Sequence, residues 1–222
     1  MEDIFKEYLA KNGESSFSQN NQDKLVLSLL GESPGFFLEF GADDGVTLSN
    51  TFILEKDFNW NGIVCEPSIF SREKLISSRD CYIDLNCVTD KSGEVVTFIE
   101  TGSGLSSMEK YAYDDMWTDQ RKEGYSYEVP TISLLDLLNK YNAPDIIDYL
   151  SIDTEGSELD ILTAYDFSKV FKVITVEHNY TKNRDKIYDL LTSKGYIRIM
   201  ENLSKWDDWY IHESLPVSDQ NQ

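Results

Sequence analysis

Apolar residues fall in short blocks along this chain, and the spacing inside the blocks switches between a helical and a strand period. Ile4, Phe5, Tyr8 and Leu9 share one helical face, the polar run NGESSFSQNNQ interrupts it, and residues 25–30 form a second apolar segment that Gly31 and Pro34 end. From Phe36 onward, apolar runs over 36–40, 62–66 and 81–88 read as strands, with helical patterns over 48–58 and 68–78 between them. Leu48 with Phe52, and Ile69 with Ile76, supply helix faces that cover those strands. Such alternation predicts a parallel sheet with βαβ crossovers.

A strand over 95–99 leads into a stretch, 101–128, with no clean period. It holds the glycines of GSG and the aromatic residues Tyr111, Tyr113, Trp117 and Tyr125. One reading is a variable surface loop; the other, preferred, is a substrate lid whose rings stack on a sugar or another ring. Regular patterns then return as a strand over 129–133, a helix over 134–141 and a strand over 146–153 that ends in Asp153. A helix begins near Gly156, a strand over 171–179 ends in Glu177, His178 and Asn179, and Ile187, Leu190 and Leu191 mark another helix. YIRIM and WYIH form an antiparallel pair, and residues 214–222 read as a frayed tail. The organisation is a helical cap over 1–34 and one α/β domain over 35–213.

Candidate chemistry begins at FFLEFGADDG, residues 36–45, where a strand carrying Glu39 runs into Gly41 and Gly45. Glycine permits positive φ and close approach of a ligand to the backbone, and the N–H groups of a following helix can receive an anionic group. The spacing E-x-G-x-x-x-G is neither the dinucleotide fingerprint nor a P-loop, so an ordinary tight turn remains an alternative. Glu66 ends the next apolar run, GIVCEP, where a carboxylate can accept hydrogen bonds from both hydroxyls of a ribose. Together they suggest a nucleoside ligand.

Seven segments, FLEFGADDGVTLSNTFILEK, GIVCEPS, LNCVTDKSGEVVTF, GSGLSSM, TISLLDLL, YLSIDTEGSELDIL and ITVEHN, resemble the FkbM-type methyltransferases in type and order. Glu39 stands where aspartate is usual in that family, which keeps the carboxylate. The resemblance implies a Rossmann-like class I methyltransferase fold: a mostly parallel seven-stranded sheet with an antiparallel edge hairpin and helices on both faces. It also implies S-adenosylmethionine as cofactor and O-methylation of a hydroxyl on a sugar, glycan precursor or secondary metabolite. In that frame Glu39, Gly41, Asp43, Gly45, Ser49, Asn50, Glu66, Asp84, Asn86 and Asp153 hold the cofactor. Glu39 and Glu66 meet its amino-acid and ribose ends, the helix start at 48–50 meets its carboxylate, and Asp84 and Asn86 lie near adenine.

Composition narrows the partners. The chain has 222 residues, 41% hydrophobic and 13% aromatic, enough to bury a core without disulfides. With 40 acidic against 20 basic residues and a net charge of −20, attraction to nucleic acid phosphates is disfavoured. The acceptor is therefore expected to be a small molecule or glycan. No apolar run approaches the ~20 residues of a membrane helix, and the acidic Met1-Glu2-Asp3 start is unlike a signal peptide, so a cytoplasmic protein without membrane insertion is expected. Cys65, Cys81 and Cys87 lack metal-ligand or redox spacing and read as free thiols.

On the acceptor side, Asp153, Glu155, Glu177, His178 and Asn179 gather at the carboxyl ends of adjacent strands. His178 is one of two histidines and the natural general base for a hydroxyl at neutral pH, although a lone histidine is also often structural. Asp153, Glu177 and Asn179 also match, by position, magnesium-dependent catechol O-methyltransferases, but no metal is expected because the resembled family does not require one. A Rossmann-type NAD or nucleotide-sugar enzyme and a non-catalytic binding module remain the other function classes.

Overall fold

The computed structural model describes residues 1–215 except 14, 103 and 114–116. Two helices open the chain, α1 (Glu2–Asn12) and α2 (Gln22–Leu30), followed by β1 (Phe36–Phe40), α3 (Phe52–Phe58), β2 (Asn61–Cys65), α4 (Arg72–Ser78) and β3 (Tyr82–Asp84). Then come β4 (Cys87–Thr89), β5 (Val95–Glu100), β6 (Ser107–Met108), α5 (Thr118–Lys122) and β7 (Tyr125–Ser133). The remainder is α6 (Leu134–Lys140), β8 (Ile146–Ile152), α7 (Glu158–Ala164), β9 (Val170–Glu177), α8 (Asn183–Ser193), β10 (Tyr196–Ile199) and β11 (Asp207–His212).

A seven-stranded sheet has the order β10-β11-β9-β8-β1-β2-β3. Its pairings are parallel except those of β11, which runs antiparallel to β9 and β10. This is the expected mostly parallel sheet with an antiparallel edge hairpin. Side chains alternate across each strand, so Phe37, Val64, Tyr149 and Val173 meet α1 to α4 while Leu38, Ile63, Leu150 and Ile174 meet α6 to α8. Fully burying one such side chain is worth about 1.5–3 kcal/mol, so burial on two faces explains why near-continuous apolar runs form these strands.

Several expected elements are placed differently. The helix expected over 48–58 begins only at Phe52, because Leu48 adopts φ 59 and lies 57% exposed. Ile69 and Ile76 are also exposed, and α4 covers the sheet with Leu75 instead. The strand expected over 81–88 is split: Asp84 Oδ1 accepts from the backbone and side-chain amides of Asn86, a turn that ends β3 and sends the chain into another sheet. That second sheet, ordered β4-β7-β5-β6, absorbs much of the segment read as irregular, since β6, α5 and the start of β7 fall inside 101–128. Residues 103 and 114–116 of that segment, and 216–222 of the expected tail, lie outside the described residues. Among the described residues, no helix is long and apolar enough to cross a membrane.

Candidate active site

β1 lies between β8 and β2, where the strand order reverses, and ligands of open α/β sheets bind in the crevice at such a point. Gly41 follows β1 with φ 79, and a Cβ on it would stand 1.8 Å from the Asp153 carbonyl oxygen. Only glycine lets the ends of β1 and β8 approach this closely. Gly45, with φ 78, packs instead against Arg79, Leu75 and Ser78, so its role is to seat the turn on α4 and not to face a ligand.

Two clefts meet at this point. One, of about 650 Å³, is walled by Glu66, Ser68, Asn86 and Cys87 on one side and by Phe98 and Glu100 of the second sheet on the other. The second, of about 600 Å³, lies under the N-terminal cap, with Gln22, Glu39, Asn50, Thr175, Glu177 and Asp207 in its wall. Phe40, Gly41, Asp43, Gly104 and Asp153 line both.

Glu66 accepts from the backbone amides of Asp43 and Ser68, at 2.8 Å each, and lines the first cleft. Burial raises its pKa to about 7; the two amides pull it down, and the Asp43 and Glu100 carboxylates push it further up. Asp43 accepts from Ser71 Oγ and lines both clefts. Asn86 reaches the first cleft, but Asp84 does not line it and is paired with Lys140 Nζ at 2.7 Å.

Glu39 is more committed than its sequence position implies. It accepts from Ser49 Oγ at 2.9 Å, Thr51 Oγ1 at 2.5 Å and the Asn50 amide at 2.6 Å, and it lies 3.4 Å from Arg79 Nη1. Residues 48–50 therefore precede α3 and are organised by Glu39, which corrects the expectation that they offer a helix N-terminus to the ligand carboxylate. Asn50 donates its Nδ2 to Ser151 Oγ at 2.8 Å, while its buried Oδ1 has no partner and remains an acceptor in the wall of the second cleft.

The lining of the two clefts includes Glu39, Asp43, Glu66, Glu100, Asp153, Glu155, Glu177 and Asp207, and among the described residues no lysine or arginine. A sulfonium and an ammonium suit this negative field, and the orphaned Asn50 Oδ1 suits an N–H donor. The diphosphate of NAD does not.

Asp153, Glu155 and Glu177 each bring an oxygen within 4.8 Å of the others, so the expected acceptor-side carboxylates do converge. Burial raises the pKa of both Asp153 and Glu177, and for Glu177 the neighbouring Asp153 and Glu155 carboxylates push it further up. Arg121 Nη2, fully buried, donates to Glu155 Oε2 at 2.8 Å, and Asn179 Nδ2 lies 3.5 Å from the same oxygen.

His178 does not join this group as a base. It lines neither cleft, its Nδ1 accepts from the Tyr180 amide at 3.0 Å, and its Nε2 lies 3.7 Å from Asp208 Oδ1 on β11. Burial lowers its pKa. The expected aromatic lid residues are also diverted. Tyr111 donates to Asp160 at 2.5 Å and packs on Gly156, Tyr125 is a strand residue stacked on Phe70, Tyr113 is half exposed, and Trp117 caps α5. None of the four lines either cleft.

Sequence reasoning missed Glu100, Gln22, Arg79 and Arg121. Glu100 belongs to the second sheet and Gln22 to the cap, and no local spacing announces a contact made across two elements. Arg121 falls in the aperiodic stretch, where nothing distinguishes it from a surface charge.

Comparisons with known proteins agree with this geometry. A family model described as "Methyltransferase FkbM domain" matches residues 39–198. No curated protein matches the sequence. Among solved structures, the methyltransferase FkbM of Methylobacillus flagellatus KT aligns with TM-score 0.51 at 10% identity, over 95% of this chain and 58% of that one. This chain thus spans less than two thirds of that relative's length. An O-methyltransferase of Bacillus cereus, solved in complex with SAH, aligns with TM-score 0.44 at 14% identity, over 95% of this chain and 87% of that one. With its family model covering the β1 turn, the Glu66 cleft and the Asp153–Glu177 junction, the chain belongs to the FkbM methyltransferases, a family that uses S-adenosylmethionine.

Proposed function

We propose that this protein transfers a methyl group from S-adenosylmethionine to a hydroxyl oxygen of a sugar, glycan precursor or secondary metabolite. When bound, the cofactor supplies an electrophilic methyl group on a sulfonium, which leaves as a neutral sulfide. Glu66 is suited to accept from the ribose hydroxyls, because its two oxygens each already hold one backbone amide and face the cleft. Asn50 Oδ1 is suited to the cofactor's amino group.

The observation that carries the choice of oxygen is the convergence of the Asp153, Glu155 and Glu177 carboxylates, within 4.8 Å of one another, where the clefts join. A hydroxyl is a weak acid and needs a base as its oxygen is alkylated, whereas a neutral amine does not. A carboxylate of this group, with Glu177 the first candidate, takes that proton in its ionised form. His178 is displaced from this role, since its ring is turned to the Tyr180 amide and Asp208.

Calorimetry with SAH and NAD, then transfer of a labelled methyl group to a panel of hydroxylated acceptors, tests the reading. SAH is expected to bind, NAD to bind weakly or not at all, and the label to enter an ether that survives alkali. Glu177→Gln is expected to lower turnover by about 10²–10⁴-fold while SAH affinity holds. An alkali-labile ester, or a labelled amine, would overturn the hydroxyl assignment.

A further inference from the structure

The adenine end of the cofactor needs an acceptor for its exocyclic amino group, and the carboxylates of the main sheet are committed elsewhere. Asp84 does not line the first cleft and is paired with Lys140 Nζ, and Asn86 Nδ2 donates to Asp84 Oδ1 at 2.7 Å. Glu66 is suited to the ribose, and Glu155 is paired with Arg121. Of the carboxylates that line this cleft, Glu100 is the one contributed by the second sheet, and it is 3% exposed.

The strand pairing places Glu100 at the edge of an apolar seat. Residues two apart on a strand share a face, and Phe98 and Glu100 both line the cleft from β5. β6 runs antiparallel beside β5 with Met108 opposite Phe98, and in the same register Ser106 falls opposite Glu100. Met108 and Ser106 line the same cleft. Phe98 and Met108 pack with Cys87 in one cluster, so an apolar surface is bounded on one side by a polar pair. A purine has the matching form, an apolar face with a hydrogen-bonding edge.

Glu100 is held ready for a donor. Ser106 Oγ donates to its Oε1 at 3.0 Å, and the Tyr127 hydroxyl donates to its Oε2 at 2.9 Å. Each of those hydroxyls also accepts a backbone amide at 3.0 Å, Ser106 from Thr101 and Tyr127 from Ile69, which fixes its orientation. A carboxylate oxygen accepts two hydrogen bonds, so each oxygen of Glu100 keeps an open position.

We propose that Glu100 selects adenine by accepting from its exocyclic amino group, so that this chain reads the base from its second sheet and not from the end of β3. The inference rests on the cofactor in the reading above and is independent of the methyl acceptor. Hypoxanthine carries a carbonyl in place of that amino group, which sets an acceptor against an acceptor at Glu100. A site built to hydrogen-bond an N–H rejects the analogue that lacks it far more strongly than an apolar pocket rejects a change of shape.

Calorimetry with SAH and S-inosyl-L-homocysteine, which differ at that group, tests the assignment. The parent is expected to bind SAH at least about tenfold more tightly than the inosyl compound. Glu100→Gln is expected to weaken SAH and to bring the two ligands within about threefold of each other, because a carboxamide can turn its N–H toward the carbonyl. Glu66→Gln is expected to weaken both ligands and keep their ratio. Should Glu100→Gln fail to fold by circular dichroism, Tyr127→Phe, which removes one of the two hydroxyls that orient Glu100, is expected to reduce the ratio severalfold. Equal affinities in the parent, an unchanged ratio in folded Glu100→Gln, or a ratio lost in Asn86→Ala and kept in Glu100→Gln would each overturn the role of Glu100. Failure of the parent to bind either ligand would instead overturn the nucleoside reading of the cleft, and this inference with it.

Discussion

Arg121 Nη2 donates to Glu155 Oε2 at 2.8 Å, with both side chains buried, and this contact ties α5 to the loop after β8. Removing one member of a buried ion pair strands the other without its counter-charge. Arg121→Met is expected to destabilise the fold by about 3–5 kcal/mol, measured by denaturant unfolding. Glu155→Gln on that background should recover part of the loss, since it removes the stranded charge. Additive losses in the double variant would show that the pair does not act as a unit.

Glu66 makes cofactor binding depend on pH. Its pKa is raised to about 7 by burial, so a growing fraction is protonated as pH falls from 8 to 6. A ribose diol donates to the ionised form, and SAH affinity should therefore fall by about tenfold over that interval from this group alone. The same raised value favours the native state of the free protein at low pH, because native Glu66 holds its proton over a range where the unfolded chain has released it. Asp43 and Glu100 face Glu66, and Asp153, Glu177 and Asp207 titrate in the neighbouring cleft with the same sign toward a cation. Glu66→Gln should flatten the pH dependence of calorimetric affinity without abolishing it. An unchanged slope would remove Glu66 from the nucleoside site.

Three convergent carboxylates suit a magnesium or manganese ion in number, but Arg121 stands 2.8 Å from Glu155, and burial pushes Asp153 and Glu177 toward their protonated forms. A guanidinium at that distance opposes a dication. Methyl transfer is expected to persist in EDTA. Activity lost to chelator and restored by magnesium would reassign the three residues as ligands.

Gly41→Ala should be among the most damaging single changes. The added Cβ would lie 1.8 Å from the Asp153 carbonyl oxygen at φ 79, so β1 and β8 must separate where the two clefts meet. The expected cost is about 3 kcal/mol or more, read by thermal unfolding, with loss of SAH binding in whatever folds. Gly93→Ala serves as a control, since it shares a positive φ of 79 but has nothing within 4 Å of its Cβ.

The sequence by itself determined the alternation of strands and helices, because an apolar period is a local property and two-sided burial follows from it; the strand order that reverses at β1 is a property of the closed sheet. Glu66 and Asp153 were legible for the same reason: each lies at the end of an apolar run, and the parallel topology brings such ends to one edge. Tertiary structure decided what each polar side chain does there. Glu39 is turned inward by Ser49, Asn50, Thr51 and Arg79; Asp84 is claimed by Lys140; and His178 is held by an amide two residues ahead. A hydrogen bond is won or lost over a few tenths of an ångström, and residues as far apart as Gln22 and Asp207 reach that distance only when the whole sheet has closed.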